Sequence, residues 1–312
     1  MLLRRRLTRF ALACLLPMAA FGAPLTFVMV PKGVHPYYEP CYEGFTAAGS
    51  YYGVNVERID PLKFELPLQI KIIEDLINRH VDGIAISALD DAGLVPVIAK
   101  ATKAGIKVVT FDSAALSSSE LGYIGTNNKR AGFEAGRRMA TLMKGTGQVI
   151  VLQGGMGALN LNLRTQGFKQ AIAHFGPHIK VLDVVDVKGD YAIAAQKTAA
   201  ILDSHPGLTA IFAVSAEGAP AAASVLKERN QSGKVLLGGF DDLDETLTGI
   251  KDGSIAFCLV QKTFKMGWLA VQSLVDAENG ERLAKITDTQ ALIVTTANVD
   301  HYMADMRKEF VK

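Results

Sequence analysis

The sequence has 312 residues, of which 49% are apolar and 21% are charged, and its formal net charge is +2. A chain of this length and composition can bury one large core or two moderate ones, and two globular lobes are expected. The near-neutral charge comes without a basic stripe or a nucleic-acid-binding motif, which argues against a nucleic-acid-binding protein.

The first 22 residues have the pattern of a secretory signal peptide. The basic stretch "MLLRRRLTRF" precedes the apolar "ALACLLPMAAF", and small residues favour cleavage after Gly22. The apolar stretch is too short to span a bilayer, and no later stretch is long enough. Four arginines leave with the signal, so 29 basic and 31 acidic side chains remain, a net charge of −2. The sequence therefore predicts an exported protein.

Two cysteines, Cys41 and Cys258, remain in the mature chain. An oxidising compartment permits a disulfide between them. Two free, mostly buried thiols are favoured instead, because unpaired cysteine is among the residue types most often buried.

Apolar, strand-like runs alternate with amphipathic helices along the mature chain. Strands are predicted over residues 25–30, 55–60, 83–89, 107–112, 147–154, 179–187, 208–214, 234–241 and 254–260. The stretch "PLQIKIIEDLINRH" predicts a helix, and a second helix is predicted from an Asp91 N-cap to Gly105. Near-continuous apolar strands separated by helices are typical of α/β folds with parallel sheets covered on both faces.

The repeats divide into two halves, with four β-α units in 24–126 and a new set from about 127. Two doubly wound lobes place the carboxyl ends of their strands at a common crevice, which is where open α/β sheets bind ligands. The polar residues at or after these ends are Asp112, Arg164, Ser215, Asp241 and Gln261, and the pair Tyr37 and Tyr38 of "HPYYEP" follows the first strand.

Several motifs resemble the periplasmic sugar-binding proteins of the ribose-binding type, which serve ABC importers. The resemblance runs over residues 24–300 through "VVTFDS", "YIGTNNKRAGFEAGRRM", "GALNLNLRTQGF", "GDYAIA", "LGGFDD" and "QKTFKMGWLAV". It implies two Rossmann-like, doubly wound lobes joined by three crossover segments, the type I periplasmic binding protein fold. The implied lobes are 24–126 plus 262–286 and 127–261 plus 287–312.

The resemblance also implies roles for individual residues. Tyr37 and Tyr38 match an aromatic pair that stacks on the sugar, and Tyr191 matches an aromatic residue of the opposite lobe. The groups that match sugar-binding polar side chains are Asp112, Arg164, Asp241 and Gln261. Charged and amide groups suit sugar hydroxyls, which both donate and accept hydrogen bonds, while aromatic faces cover the apolar C–H surface.

Three positions depart from the ribose-type pattern but are still expected to line the site. Ser113 stands in place of an arginine, Ser215 in place of an asparagine, and His35 in place of another asparagine. These changes argue against ribose itself as the ligand.

Other interpretations of the same residues remain open. The tyrosines could form a hydrophobic staple for the first helix, and Asp112 and Asp241 could be turn or N-cap residues. The stretch "GGMGALN" resembles a dinucleotide-binding loop, but Asn160 replaces its last small residue. Ser215, Asp241 and His301 follow hydrolase order without a nucleophile elbow. His174 and His178 have metal-like spacing, but Gly176 and Pro177 break any helix between them.

The sequence thus predicts a monomeric, non-catalytic solute-binding protein without a cofactor or metal. Its expected ligand is a small neutral sugar or polyol, and its expected partner is an ABC permease. Two alternatives stay open, namely a sensory module that engages a chemoreceptor or sensor kinase, and an exported hydrolase.

Overall fold

The structure is a computed structural model that describes residues 23–306, so the signal peptide and its cleavage site lie outside the described residues. Its strands are β1 (Thr26–Val30), β2 (Asn55–Arg58), β3 (Gly83–Ile86), β4 (Lys107–Phe111), β5 (Tyr123–Gly125), β6 (Thr146–Gln153), β7 (His178–Asp186), β8 (Ala210–Ala213), β9 (Leu236–Phe240), β10 (Phe257–Gln261), β11 (Ile286–Asp288) and β12 (Ala291–Val294). Its α-helices are α1 (Glu39–Tyr52), α2 (Leu66–Asn78), α3 (Val95–Lys103), α4 (Asn128–Leu142), α5 (Leu159–Phe175), α6 (Tyr191–Ser204), α7 (Gly218–Glu228), α8 (Asp244–Lys251), α9 (Thr263–Glu278) and the single turn α10 (Val299–His301). A 3₁₀ turn, Pro36–Tyr38, leads into α1, and a π-helical turn, Tyr302–Met306, follows α10.

The strands form two six-stranded sheets, each of which defines one lobe. The first sheet has the order β11-β5-β4-β3-β1-β2, and the second has the order β12-β10-β9-β8-β6-β7. Neighbouring strands are parallel except for β12, which pairs antiparallel with β10. The predicted α/β class with two doubly wound lobes is therefore confirmed.

Each sheet is covered on both faces because its central strands are apolar throughout. In β1, Val28 and Val30 pack against α2 and α3, whereas Phe27 and Met29 face α1 and α9. Successive strand residues point to opposite faces, so a strand buried on both sides needs this continuous apolar run.

The chain passes between the sheets three times within the described residues, after β5, after β10 and between β11 and β12. The third crossing lies at residues 289–290, because β11 pairs with β5 along its whole length and so belongs to the first sheet. The lobe boundaries drawn from the sequence, the last of which falls inside β11, stay a prediction.

Helices α1 and α9 pack closely enough to require glycine where they cross. A Cβ atom at Gly267 would clash with the backbone carbonyl of Cys41, and one at Gly44 would clash with that of Phe264. Any side chain at these two positions would force the helices apart.

The helix predicted from Asp91 begins later than expected, at Val95. Pro96 occupies its first turn, where a missing N–H costs nothing, and residues 91–94 form a turn instead. The carboxylate that accepts a backbone N–H in this turn belongs to Asp90, which binds Gly93 N at 2.7 Å. The prediction that Asp91 caps the helix was wrong.

Cys41 and Cys258 are both free and buried, which confirms the expectation of two unpaired thiols. Across residues 23–306, no helix combines the length and apolar character needed to cross a membrane.

Candidate functional site

A polar cavity of about 70 Å³ lies between the two lobes, at the carboxyl ends of the strands. Eight of the residues predicted for the site line this inner cavity, namely His35, Tyr37, Tyr38, Asp112, Arg164, Ser215, Asp241 and Gln261. The parallel strands bring them together because their carboxyl ends share one edge of each sheet.

Asp112 and Asp241 occupy equivalent positions in the two lobes. Each directly follows a strand, and each has a left-handed backbone, with φ of 56° for Asp112 and 67° for Asp241. This conformation costs a non-glycine residue about 1 kcal/mol or more, and aspartate is among the residues that tolerate it best. Each chain turn aims its carboxylate into the space between the sheets.

Two predicted site residues do not line the inner cavity. Ser113 is fully buried behind it, and its hydroxyl has no hydrogen-bond partner within the described residues. Tyr191 is 46% exposed and lines a wider outer cavity of about 490 Å³ at the mouth of the cleft. Its hydroxyl donates to Pro220 O at 3.4 Å, so the ring is held against the second lobe.

The side chains that line the inner cavity and were missed by the sequence include Lys32, Phe64, Asn160 and Glu217. Lys32 follows β1 within the "PKG" turn. A charged residue so close to the end of a buried strand was a signal in the sequence that could have marked it as a site residue. Glu217 lies two residues beyond Ser215, and its Oε1 atom accepts a hydrogen bond from the Ser215 hydroxyl at 2.6 Å. Phe64 and Asn160 carried no sequence pattern that distinguishes them from packing residues.

Asp112 belongs to the first lobe, and its Oδ2 atom lies 3.2 Å from the ammonium nitrogen of Lys32. Burial alone would raise the pKa of Asp112, but Lys32 and Arg164 together with hydrogen bonds from Ser87 and Tyr37 lower it below its ordinary value. Burial lowers the pKa of Lys32, and the charge of Asp112 opposes that shift. The two groups form a buried ion pair.

Arg164 is fixed by three neighbours of the second lobe. Its Nε donates to Asn128 Oδ1 and its Nη1 donates to Val214 O, each at 2.8 Å. The guanidinium lies 4.1 Å from the centre of the Phe240 ring, a cation–π distance. Nη2 is buried and has no partner among the described residues.

Asp241 accepts fewer hydrogen bonds than Asp112 among the described residues. It accepts one hydrogen bond from Gln261 Nε2 at 2.9 Å. Burial raises its pKa to about 7, although Arg164 and Gln261 pull it down. The other amide atom of Gln261, Oε1, is buried and has no partner within the described residues.

The two tyrosines have different environments. Tyr38 is 3% exposed, packs edge-on against Phe111 and donates towards Asp112 at 3.3 Å. Tyr37 lines both cavities and donates to Asp112 Oδ1 at 3.0 Å. Tyr38 thus belongs largely to the core of the first lobe, while Tyr37 forms a wall of the cleft.

We expect substitutions at these tyrosines to separate affinity from stability. Tyr37→Leu should lose about 1–2 kcal/mol of sugar affinity, because a branched aliphatic side chain cannot lie flat on a C–H face. Tyr38→Leu should instead lower the free energy of unfolding by about 2 kcal/mol or more through lost core packing. Calorimetric titration and urea unfolding of both variants measure the two effects. Equal affinity losses at both positions would contradict this division.

A polar cleft closed between two doubly wound lobes defines a bilobal binding protein. Residues 26–282 match the periplasmic binding protein domain family, and the chain belongs to that family, whose members bind solutes and are not enzymes.

Known proteins of similar sequence or structure include sugar-binding proteins. A D-ribose/D-allose-binding protein of Pseudomonas aeruginosa is 28% identical over 219 residues, which cover 68% of each chain. An ABC transporter solute-binding protein of Burkholderia graminis, solved with D-arabinose, is 38% identical and has a TM-score of 0.85, with 90% of this chain and 97% of the other covered. A chain in a XylFII–LytSN complex is 27% identical, with a TM-score of 0.83 and coverages of 88% and 99%.

Proposed function

We propose that this protein captures a small neutral sugar or polyol in the inner cavity and delivers it to an ABC importer. The supporting observation is the pair of unpartnered buried atoms, Arg164 Nη2 and Gln261 Oε1, on side chains that line the cavity. The first can only donate a hydrogen bond and the second can only accept one. Leaving such groups unpaired costs about 1–3 kcal/mol each, so a ligand that satisfies both is strongly favoured.

A sugar meets this requirement because each hydroxyl both donates and accepts. The remaining polar groups of the cavity extend the match, with Lys32 as a donor and Asp241 and Glu217 as acceptors. Tyr37 and Phe64 supply apolar area for the C–H face of the ring. The solved relative with D-arabinose supports a pentose-sized ligand.

A thermal-shift experiment tests the ligand class. D-arabinose, D-ribose, D-allose and xylitol are titrated against the mature protein, with amino acids and inorganic anions as comparison compounds. At 100 times its dissociation constant, a bound ligand adds about 2.7 kcal/mol to the free energy of unfolding, which raises the melting temperature by several degrees. Stabilisation by amino acids or anions alone would overturn the sugar proposal.

The match to the periplasmic binding protein family supports a periplasmic location and a transporter permease as the partner, and both are part of this proposal. We expect the lobes to close about the three crossings, so that the permease engages the closed form. The monomeric state remains part of this proposal.

A sensory role is the second candidate, favoured by the similarity to a chain in the XylFII–LytSN complex. The closed protein would then engage a membrane receptor or sensor kinase with the same ligand in the same cleft. Stimulation of ATP hydrolysis by a reconstituted transporter would support the importer rather than the sensor.

A further inference from the structure

A series of buried hydrogen bonds follows the first crossing between the lobes. Tyr123 begins β5 in the first lobe, and Asn128 begins α4 in the second. Asn128 Nδ2 donates to Tyr123 Oη at 3.0 Å, and Asn128 Oδ1 accepts from Arg164 Nε at 2.8 Å. All three residues are at most 6% exposed. The series therefore connects a strand of the first lobe with an arginine that lines the inner cavity.

The donors and acceptors of this series allow one arrangement. A guanidinium nitrogen can only donate, so Asn128 must present its oxygen to Arg164 and its amide nitrogen to Tyr123. The Tyr123 hydroxyl accepts from Asn128 and has one proton left to donate. Burial raises the pKa of Tyr123 well above its ordinary value, so the hydroxyl keeps that proton at neutral pH. Tyr123 therefore acts in this series as a neutral hydroxyl.

Two backbone carbonyl groups lie within reach of the Tyr123 hydroxyl. Its Oη atom is 2.9 Å from Asp112 O and 3.1 Å from Thr126 O. Asp112 O belongs to the left-handed turn that follows β4, and Thr126 is part of the first crossing. One hydroxyl therefore contacts the backbone of a first-lobe site residue, the crossing, and the amide that binds a second-lobe site residue.

The other contacts of Arg164 lie within the second lobe. Its Nη1 donates to Val214 O at 2.8 Å, and the guanidinium lies over the Phe240 ring. Among the contacts described, Asn128 is therefore the partner that links Arg164 to the first crossing. Within residues 23–306, Tyr123 and Asn128 line neither the inner nor the outer cavity, so any effect on a ligand must act through the residues that they hold.

We propose that Tyr123 and Asn128 are positioning residues, which hold the Arg164 guanidinium in place against the first crossing. The Tyr123 hydroxyl fixes the Asn128 amide, and this amide fixes Nε of Arg164. Because the same hydroxyl also binds Asp112 O, the two site residues of opposite lobes share one support. The effect on ligand affinity rests on the proposed function, whereas the positioning of the guanidinium does not.

The positioning of Arg164 is tested in the ligand-free mature protein by hydrogen exchange at its Nε–H, observed by NMR after isotope labelling of nitrogen. The signal is assigned by its loss in Arg164→Lys. Tyr123→Phe removes only the hydroxyl that holds the Asn128 amide, so the exchange rate should rise by about tenfold or more. Thr198→Val is the matched control, because Thr198 is fully buried in α6 and its hydroxyl donates to Ala194 O of the same helix. An unchanged rate in Tyr123→Phe, or an equal rise in both variants, would overturn the proposal.

The consequence for binding is tested by calorimetric titration with D-arabinose in a double-mutant cycle. Tyr123→Phe should weaken binding by about five- to tenfold in the parent. In the Arg164→Lys background the loss should be less than about twofold, because the group that Tyr123 positions is then absent. Thr198→Val should leave the affinity unchanged.

A loss of the same factor in both backgrounds, or no loss in the parent, would show that Tyr123 does not act through Arg164 and would overturn the proposal. Should D-arabinose and the other sugars fail to bind, the sugar proposal fails, and the exchange measurement still decides the positioning role.

Discussion

Arg164→Lys should weaken sugar binding by about a hundredfold, equivalent to about 2–3 kcal/mol of binding free energy. The guanidinium uses Nε and Nη1 to bind Asn128 and Val214, which leaves Nη2 buried and without a partner among the described residues. A lysine keeps the charge but presents a single ammonium on a flexible stem. It cannot reproduce this planar arrangement of donors.

Arg137→Lys is the matched control for this substitution. Arg137 lies on the exposed surface of α4, where it pairs with Glu134 one helical turn away. Such a pair is worth less than about 1 kcal/mol, so its replacement should leave affinity unchanged. Calorimetric titration of both variants with D-arabinose, after circular dichroism has verified folding, gives the comparison. Arg164→Lys binding within threefold of the parent would remove Arg164 from the site.

The sequence predicted the strands that form the middle of each sheet because those strands are buried on both faces. Phe27 to Val30 form a continuous apolar run that no exposed segment would tolerate. The short strands β5, β11 and β12 escaped prediction because each has only three or four residues. A run this short does not establish a periodicity that distinguishes a strand from a loop.

The site was predictable where it depends on strand ends and unpredictable where it depends on contact between lobes. Asp112 and Asp241 could be placed because each ends a predicted strand. Asn160 could not, because its place in the cavity depends on contact with Lys32, which lies more than a hundred residues earlier in the chain. In the sequence, Asn160 stood out only as the residue that departs from a dinucleotide-binding pattern.

Side-chain placement in the folded protein also explains why Ser113 and Tyr191 do not line the inner cavity as predicted. Both positions follow from the family resemblance, yet Ser113 is buried outside the lining of the inner cavity and Tyr191 lines only the outer one. Side-chain direction alternates along a strand and its continuation, so a residue adjacent to a ligand-facing aspartate often faces away from the ligand.

Asp241 should make sugar binding depend on pH near neutrality. Burial raises the pKa of Asp241 to about 7 in the empty cleft, so the carboxyl is half protonated when the pH is about 7. Sugar hydroxyls that donate to it form charge-assisted bonds with the ionised form, which lowers the pKa in the complex. Binding then releases a proton whenever the pH is below about 7. Affinity must therefore fall as the pH falls, by up to tenfold per pH unit.

Lowering the pH from 7.5 to 6.0 should weaken binding by about eightfold, as expected for one group with a pKa of about 7 that is fully ionised in the complex. Other titratable groups face the cleft, and the pKa values of His35, Asp112 and Lys32 are all lowered, so a variant that removes only the Asp241 carboxyl is needed to assign the effect. Asp241→Asn is the control, because an amide cannot ionise. This variant should bind more weakly by about 2–4 kcal/mol and lose the pH dependence. Calorimetry in buffers of different ionisation enthalpy counts the protons directly. Equal affinity of the parent at both pH values, with no proton release, would show that no ligand hydroxyl donates a hydrogen bond to the ionised carboxylate of Asp241.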